Sequence, residues 1–551
     1  MECLAEQQKI RHAGRSYSTD SAQQFTIMDD TGMSKQDVTT PTEYPAPPSR
    51  DGEIVGEVQP KVHFNLWHSL AMNFSITCTP LAIGSYLSLV IGLGGSPYYI
   101  WAFLFGSFFQ LILGLAVAGI ASSIPHSSAF PYATIPDDTD VSTLQGPAYW
   151  VQHLAPPRCA KLFGFIVGWT TTATWWFIAV ASDLYLAQLT LGLAMALNTD
   201  YVPPQWQYYL VYCAWAVAAF VINLPYIFHV LGPTLIGAFG VINITAIFIL
   251  VSLLVRATPK PPAKEVFVDV VNESGWSSNG VVFFLTLLPS VLCVSGFDSI
   301  THITDELDRP TKQVPQVIIG SSIISVITGF AMTMVYSFCI TKPKNLLAPV
   351  GHQPIIQLLF DSCRSNALAT IGTVGVILSF YIANVSTFTS WSRLYWSLSR
   401  ENQFPFSKST SKLSAADSLP CNAMVVNLVL VLALGAIQLS SLTALNAILG
   451  GAVVLTTVSY ALTLDCALYR GRDYLPSKRW LNLRQFGTPV IYVALVWCLF
   501  ISVWLCFPLY LPVTPEYMNW ASVVVVGVLV AATIYWFVRP ATYARSDIEV
   551  S

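Results

Sequence analysis

SITCTPLAIGSY (residues 75–86) and SVLCVSGFDSITHITDEL (residues 290–307) each interrupt a long apolar segment with residues that disfavour a continuous helix. Pro80 has no N–H and clashes with the carbonyl group four residues back, and Gly296 gives its backbone unusual freedom. A helix broken inside a bilayer leaves backbone groups unpaired, which is tolerated only where protein or a watery cavity supplies partners. Two such breaks are typical of secondary transporters, whose substrate sites lie between broken helices. For the first break alone, a simple proline kink remains an equal interpretation.

The composition around these breaks is that of a membrane protein. The chain has 551 residues, of which 54% are hydrophobic and only 10% charged, and its mean hydropathy is +0.57. Soluble domains carry about 25% charged residues. We therefore expect an all-α polytopic membrane protein with about twelve transmembrane helices, since about 20 apolar residues span a bilayer. The predicted helices are residues 67–93, 97–121, 162–192, 207–227, 230–255, 279–300, 316–340, 366–392, 422–440, 443–465, 488–510 and 519–538.

The charge distribution predicts the orientation and the ends of this domain. Residues 1–62 are polar and read as a disordered cytoplasmic tail, residues 63–540 as the transmembrane domain, and residues 541–551 as a short cytoplasmic tail. Of the 27 lysines and arginines, 21 fall on the side of the two termini and six on the other. The positive-inside rule then places both termini in the cytoplasm.

Two carboxylates inside apolar segments are candidates for function, because ionisable residues in a membrane are costly. Asp298 follows the second break and is either a functional group or a carboxylate at a helix end, paired with a solvated lysine. Asp183 lies well inside the third apolar segment, beside Trp175, Trp176, Phe177 and Tyr185. It either faces the interior, where it would hold a substrate ammonium or take a proton, or lies in water at the outer interface of a tilted helix.

Several classes of function lack support in the sequence. We find no nucleotide-binding P-loop, no catalytic Ser/His/Asp pattern and no HExxH motif, so we expect neither an ATP-driven pump nor an enzyme. The eleven cysteines are scattered without CxxC spacing, so we expect no metal site and no cofactor. The net charge of −3 gives no reason to expect nucleic-acid binding. One sequon, at Asn272, falls in a predicted outer loop and is a candidate glycosylation site.

Three spaced motifs resemble the amino acid–polyamine–organocation superfamily, and most closely its fungal amino acid/choline transporter branch. They are GFDSITHITDELDRPTKQVPQVI (residues 296–318), GPAYWVQHLAPPRCAKLFGFIVGW (residues 146–169) and SRLYWSLSRENQFPFS (residues 392–407). Two positions depart from the family pattern: Asp305 replaces a glutamate, and Glu401 replaces an aspartate. The resemblance covers about residues 65–540.

This resemblance implies a five-plus-five inverted repeat with broken helices 1 and 6, and with helices 11 and 12 peripheral. It implies a substrate site between helices 1, 3, 6 and 8. Thr77, Cys78 and Thr79 would bind a substrate carboxylate, which also suits the positive end of the half-helix after the break. Ser295, Gly296 and Phe297 would line the site from helix 6, with Phe297 as a gate. Asp298 would carry the coupling proton.

The sequence therefore predicts a permease of the cell membrane that moves a small amine-containing solute by alternating access, with protons as the coupling ion. A carboxylate at position 183 departs from the relatives and favours a cationic or amine-bearing substrate, such as choline, a polyamine or a basic amino acid. Two alternatives remain open: an exporter of an alkaloid-like metabolite on the same fold, and a nutrient sensor that binds without transport.

Overall fold

The computed structural model describes most of the membrane domain. The described residues are 64–124, 145–224, 228–414, 419–440, 442–471, 479–514 and 518–538. The two predicted tails, residues 1–62 and 541–551, lie outside these ranges.

The described residues are mainly α-helical with very little strand, and twelve of their helices correspond to the twelve predicted spans. Ten of them have a window long and apolar enough to cross a membrane. The other two are helix 4, which is richer in polar aromatic residues, and helix 6, which is shortened by its break. Helices 1 to 12 are Leu66–Ile91, Gly95–Ser123, Ala160–Leu197, Gln205–Ile222, Phe228–Arg256, Asn279–Leu292, Pro310–Cys339, Asn366–Arg400, Cys421–Leu439, Leu442–Arg470, Gly487–Trp504 and Ala521–Val538.

Helix 3 is longer than a bilayer requires. Its 38 residues correspond to about 57 Å at about 1.5 Å per residue, against a hydrocarbon core of about 30 Å. The helix ends at Leu197, past the predicted end at residue 192. Helix 12, in contrast, is largely exposed and buries only three of its side chains (Ala521, Val525 and Ala532), as expected of a peripheral helix.

Helix 1 breaks where the sequence predicts. An α-helix over Leu66–Thr77 ends at Cys78, whose φ of 41° is in the left-handed region. A new α-helical turn, Thr79–Ala82, then begins with Pro80 in its first turn, where the missing N–H has no partner to lose. The chain continues through a 3₁₀ turn, Ile83–Tyr86, before it regains α-geometry. Proline thus starts the second half of the helix rather than merely bending it.

Helix 6 breaks earlier than predicted. Its α-helical part stops at Leu292, so the expectation of a helix through residue 300 is wrong in its last eight residues. Gly296 has a φ of +89°, which a helix does not accommodate. After Asp298 the chain forms only two 3₁₀ turns, Ser299–His302 and Thr304–Glu306.

Side chains of helices 1 and 2 pair with the backbone carbonyl groups released by the second break. The Thr79 hydroxyl donates to the Cys293 carbonyl oxygen at 2.7 Å, and the Asn73 amide donates to the Phe297 carbonyl oxygen at 3.1 Å. From helix 2, the Gln110 amide donates to the Val291 carbonyl oxygen at 3.2 Å, in addition to the backbone hydrogen bond that this oxygen accepts from Ser295. The two breaks therefore lie side by side and are joined by hydrogen bonds.

Short elements outside the membrane helices were not predicted. A helix over Gly146–Leu154 precedes helix 3, and another over Pro354–Cys363 precedes helix 8. A two-residue strand, Leu93–Gly94, pairs antiparallel with Val271–Asn272 and so joins the loop after helix 1 to the loop before helix 6. These elements are too short for hydropathy to distinguish them from loops.

A buried ion pair joins the second 3₁₀ turn after helix 6 to helix 8, on the side where helix 1 begins. The Arg393 Nε atom lies 3.0 Å from the Glu306 carboxylate, and both side chains are almost fully buried. The Glu306 carbonyl oxygen also accepts a hydrogen bond from the Phe64 N–H at the start of the described chain. This corner therefore holds three distant parts of the sequence together.

We expect Glu306→Gln to destabilise the protein by about 3–5 kcal/mol, because the substitution removes one charge of a buried ion pair. The midpoint of thermal unfolding in detergent measures the effect. Asp269→Asn is the matched control, since the Lys264–Asp269 pair is exposed and exposed pairs contribute little. Equal midpoints for the two variants would contradict a structural role for the buried pair.

We expect Gly296→Ala to destabilise the protein by about 1–2 kcal/mol, because an L-residue is strained at positive φ. Its Cβ would also lie 3.4 Å from the Ile76 side chain. Gly237→Ala in helix 5 is the control, since a Cβ there has no neighbour within 4 Å. If unfolding of the two variants shows the same midpoint, the strained turn at Gly296 is not important for stability.

Candidate functional site

A cavity of about 580 Å³ lies between the two broken helices, within the size range of small-molecule sites. We call it the central cavity. Its walls come from helices 1, 3, 6, 8 and 10. On the side away from the chain termini it reaches two loop segments, His352–Pro354 and Leu509. The break in each helix thus places non-helical backbone beside open space rather than beside lipid.

Of the three candidates in helix 1, Thr77 and Cys78 line the central cavity. The Thr77 hydroxyl donates to the Phe74 carbonyl oxygen at 2.8 Å, and it lies 3.1 Å from the Ser325 hydroxyl. Thr79 is fully buried and is not part of the wall, since its hydroxyl is held by Cys293. The structure therefore gives Thr79 a role in joining the two breaks.

Of the helix 6 candidates, Ser295 and Gly296 line the central cavity, but Phe297 does not. Only 1% of the surface of Phe297 is exposed, and its ring stacks on Tyr460 with centroids 5.7 Å apart. Tyr460 itself is part of the cavity wall. The aromatic side chain that faces the cavity here is therefore Tyr460 of helix 10, with Phe297 behind it.

Asp298 lines the central cavity and is 4% exposed. One carboxylate oxygen lies 3.5 Å from Nε2 of His302, which is fully buried. Tyr460 is close enough to Asp298 to interact with it electrostatically. The alternative of a solvated carboxylate paired with a lysine is wrong, because Asp298 is buried and the ionisable side chain next to it is a histidine.

Asp183 is buried but does not line the central cavity. It is 2% exposed, so the alternative of a residue in water at the interface is wrong. Its carboxylate accepts a hydrogen bond from the Asn384 amide of helix 8 at 2.6 Å, and it interacts electrostatically with Tyr212 and Cys213 of helix 4. The side chain thus faces helices 4 and 8, and the geometry gives no support to direct contact with a substrate.

The electrostatic character of the cavity follows from its lining residues. Among the described residues of its wall, Asp298 is the sole carboxylate, and none is lysine or arginine. Six aromatic rings also face it: Tyr86, Trp175, Phe177, Tyr185, Phe380 and Tyr460. A carboxylate among aromatic rings favours a cation over an anion, because the faces of the rings are also negative.

Helix 10 contributes residues that sequence reasoning missed. Ala452, Val453, Thr456, Ser459 and Tyr460 line the cavity, although the expected site comprised only helices 1, 3, 6 and 8. The signal in the sequence is weak: a pair of glycines followed by hydroxyl groups at Thr456, Ser459 and Tyr460. Such residues also occur wherever two helices pack closely, so this pattern did not single out a binding site.

Asn272 lies in the short strand before helix 6. Its amide nitrogen donates to the Trp276 carbonyl oxygen at 2.9 Å, and its side-chain oxygen accepts a hydrogen bond from the Ser274 hydroxyl at 2.6 Å. The sequon therefore forms a compact turn. Glycosylation of Asn272 stays a prediction.

Comparison with known proteins gives one family. Residues 64–530 match the family model described as amino acid permease. The chain is 24% identical to the choline transporter of Saccharomyces cerevisiae over 87% of this chain and 82% of that protein. It is 28% identical to an uncharacterized amino-acid permease of Schizosaccharomyces pombe, over 87% and 85% of the two chains. It is 26% identical to the swainsonine transporter of Arthroderma benhamiae, over 90% and 94%.

The matched region begins at the first described residue and continues into helix 12, so it contains both broken helices and every wall of the central cavity. The resemblance that the three motifs indicate is confirmed: the chain belongs to the amino acid permease family of the amino acid–polyamine–organocation superfamily.

Proposed function

We propose that this protein transports a small amine-containing solute, such as an amino acid, choline or a polyamine, by alternating access and in a proton-dependent manner. The observation that carries the proposal is the central cavity itself. It lies between two broken helices, and Asp298 is the sole carboxylate among the described residues of its wall. The family membership and the relatives named for choline and swainsonine transport agree with an amine substrate.

Substrate binding would use the groups that the two breaks present to the cavity. Thr77, Cys78, Ser295 and Gly296 lie on the wall, where hydroxyl and backbone groups can hydrogen-bond a polar substrate. Asp298 supplies the negative charge and would take the coupling proton. The aromatic rings of the wall would surround the apolar part of the solute. Asp183, Thr79 and Phe297 would act only by holding the walls in place.

Alternating access requires that the cavity be closed on one side at a time. The packing around the segment that follows Asp298 supplies such a closure. Gly146 at the start of the short helix before helix 3 contacts the segment after the second break. A Cβ on Gly146 would lie 2.6 Å from the Thr301 hydroxyl and 3.1 Å from the His302 ring. The Glu306–Arg393 ion pair lies further along the same segment. Opening toward the termini would have to separate these contacts.

The proposed location is the cell membrane with both termini in the cytoplasm, on the strength of the 21 to 6 distribution of basic residues. In that orientation the side of the cavity that reaches His352–Pro354 and Leu509 would face outward. Asn272 would lie on the outer side as well, where glycosylation is available to it.

The first test is flux of labelled choline, GABA, lysine and spermidine in proteoliposomes with an imposed pH gradient, with and without a protonophore. We expect at least one solute to move in a saturable manner that depends on the gradient. Saturable binding without flux would favour a sensor. If none of these amines is either bound or transported, the proposed substrate class is contradicted.

We expect Asp298→Asn to abolish the effect of the pH gradient on net flux, because the proposed proton-binding group is removed. Asp183→Asn is the matched control: it neutralises a second buried carboxylate, but one outside the cavity wall. It should keep flux driven by the gradient. Flux of Asp298→Asn that still follows the gradient would remove this residue from the coupling mechanism, as would equal losses in both variants.

A further inference from the structure

We propose that a monovalent organic cation and a proton bind alternately to the Asp298 carboxylate, so that the transporter exchanges one for the other. This inference rests on the proposed function and specifies both the substrate class and the mode of coupling. It also transfers to Asp298 the role of ammonium partner that the sequence suggests for Asp183.

The first step concerns the number of negative charges. A permanent organic cation that enters the central cavity needs a counter-charge, because the interior of a membrane protein solvates charge poorly. Among the described residues of the wall, Asp298 is the sole side chain that carries a full negative charge. A protonated Asp298 offers none. A cation and a proton on Asp298 would therefore place an unbalanced positive charge in the cavity.

The second step concerns the geometry of the cation site. Trp175 and Tyr460 line the cavity together with Asp298. The Trp175 ring contacts His302 edge-on at 5.5 Å between centroids, and His302 contacts Asp298 at 3.5 Å. Tyr460 is close enough to Asp298 to interact with it electrostatically. Two aromatic rings thus share the cavity wall with the carboxylate, a composition that suits a quaternary or alkylated ammonium.

The third step is the balance of the reaction. The cation approaches a protonated Asp298, the O–H bond of the carboxyl group breaks, and the proton leaves to the solution. The carboxylate that remains pairs with the cation, so the charge of the cavity is the same before and after. No other reactant is needed. Polyamines, which carry more than one positive charge, would be poor substrates of such a site.

Among the described residues, His302 and Tyr460 lie near Asp298 and His352 lines the same cavity, so each has to be separated from Asp298 by its own variant in any test. His302 lies on the same segment, and Tyr460 comes from helix 10; the neighbouring Trp175 of helix 3 does not titrate. Protonation of His302 would also weaken cation binding. Tyr460 stays neutral over the acidic range.

The experiment measures choline binding to the detergent-solubilised full chain from about pH 8 to about pH 4. We expect the dissociation constant to rise toward about tenfold per pH unit at the acidic end, as linkage requires when one proton competes with the ligand. The uncharged isostere 3,3-dimethylbutan-1-ol should bind more weakly and without this pH dependence. A dissociation constant for choline that does not change with pH, or that falls on acidification, would overturn the proposal.

Variants assign the effect to a residue. Asp298→Asn should weaken choline binding by roughly thirtyfold or more, as expected for a buried charge that loses its partner, while Asp298→Glu should retain binding and its pH dependence. Asp183→Asn should bind choline like the unmodified protein. His302→Gln should keep the pH dependence of choline binding. If the pH dependence is lost in this variant, the proton binds to His302 and the proposal is refuted.

Flux supplies a second, independent measurement. In proteoliposomes with an imposed pH gradient, exchange predicts that choline accumulates in the acidic compartment, against the direction of proton flow. Accumulation in the alkaline compartment would mean cotransport and would overturn the exchange while leaving the proposed function intact. Flux of GABA or lysine with no binding of choline at any pH would likewise refute this inference alone.

Discussion

The pairing of backbone groups at the two helix breaks is the constraint on which the rest of this structure depends. A membrane helix satisfies its own N–H and C=O groups, so a break is stable only where other parts of the protein provide partners. Here the side chains of Asn73 and Thr79 donate to carbonyl groups that helix 6 leaves free, and Gln110 adds a hydrogen bond to the last turn before the break. These three polar residues would otherwise be expensive in an apolar interior. The break in helix 6 is therefore stabilised by side chains that lie on helices 1 and 2.

The same constraint explains where the ionisable groups lie. Asp298 follows directly after the broken part of helix 6, and it reaches open space because the backbone there no longer forms a helix. Asp183 lies in the unbroken helix 3, and its carboxylate is held by Asn384 on the neighbouring helix 8. Both carboxylates are buried, but only one of them faces a cavity. Burial alone does not distinguish a carboxylate that faces a cavity from one that faces a neighbouring helix; the backbone around it does.

The sequence was sufficient to predict the fold class, the number of helices and the position of the first break, because each depends on local properties. Apolar length identifies a membrane helix, and Pro80 marks the end of one. The sequence did not predict that helix 6 stops at Leu292, since Val294 and Ile300 are as apolar as a helix would need. The roles of Thr79 and Phe297 depend on what lies opposite them. Their neighbours alone indicate a cavity lining, but the structure pairs Thr79 with Cys293 and Phe297 with Tyr460.

The three motifs that revealed the family are far apart in sequence, yet they meet in one place. Gly146 of the second motif contacts His302 of the first, and Arg393 of the third pairs with Glu306, again of the first. The segment from Asp298 to Glu306 is too short and too irregular to move as a rigid helix. It has the carboxylate of the cavity at one end and the ion pair of the closed side at the other. In the proposed mechanism, a change in what Asp298 binds would therefore act on a segment whose far end is fixed by a buried pair, and the closed side would open only if that pair moved or separated.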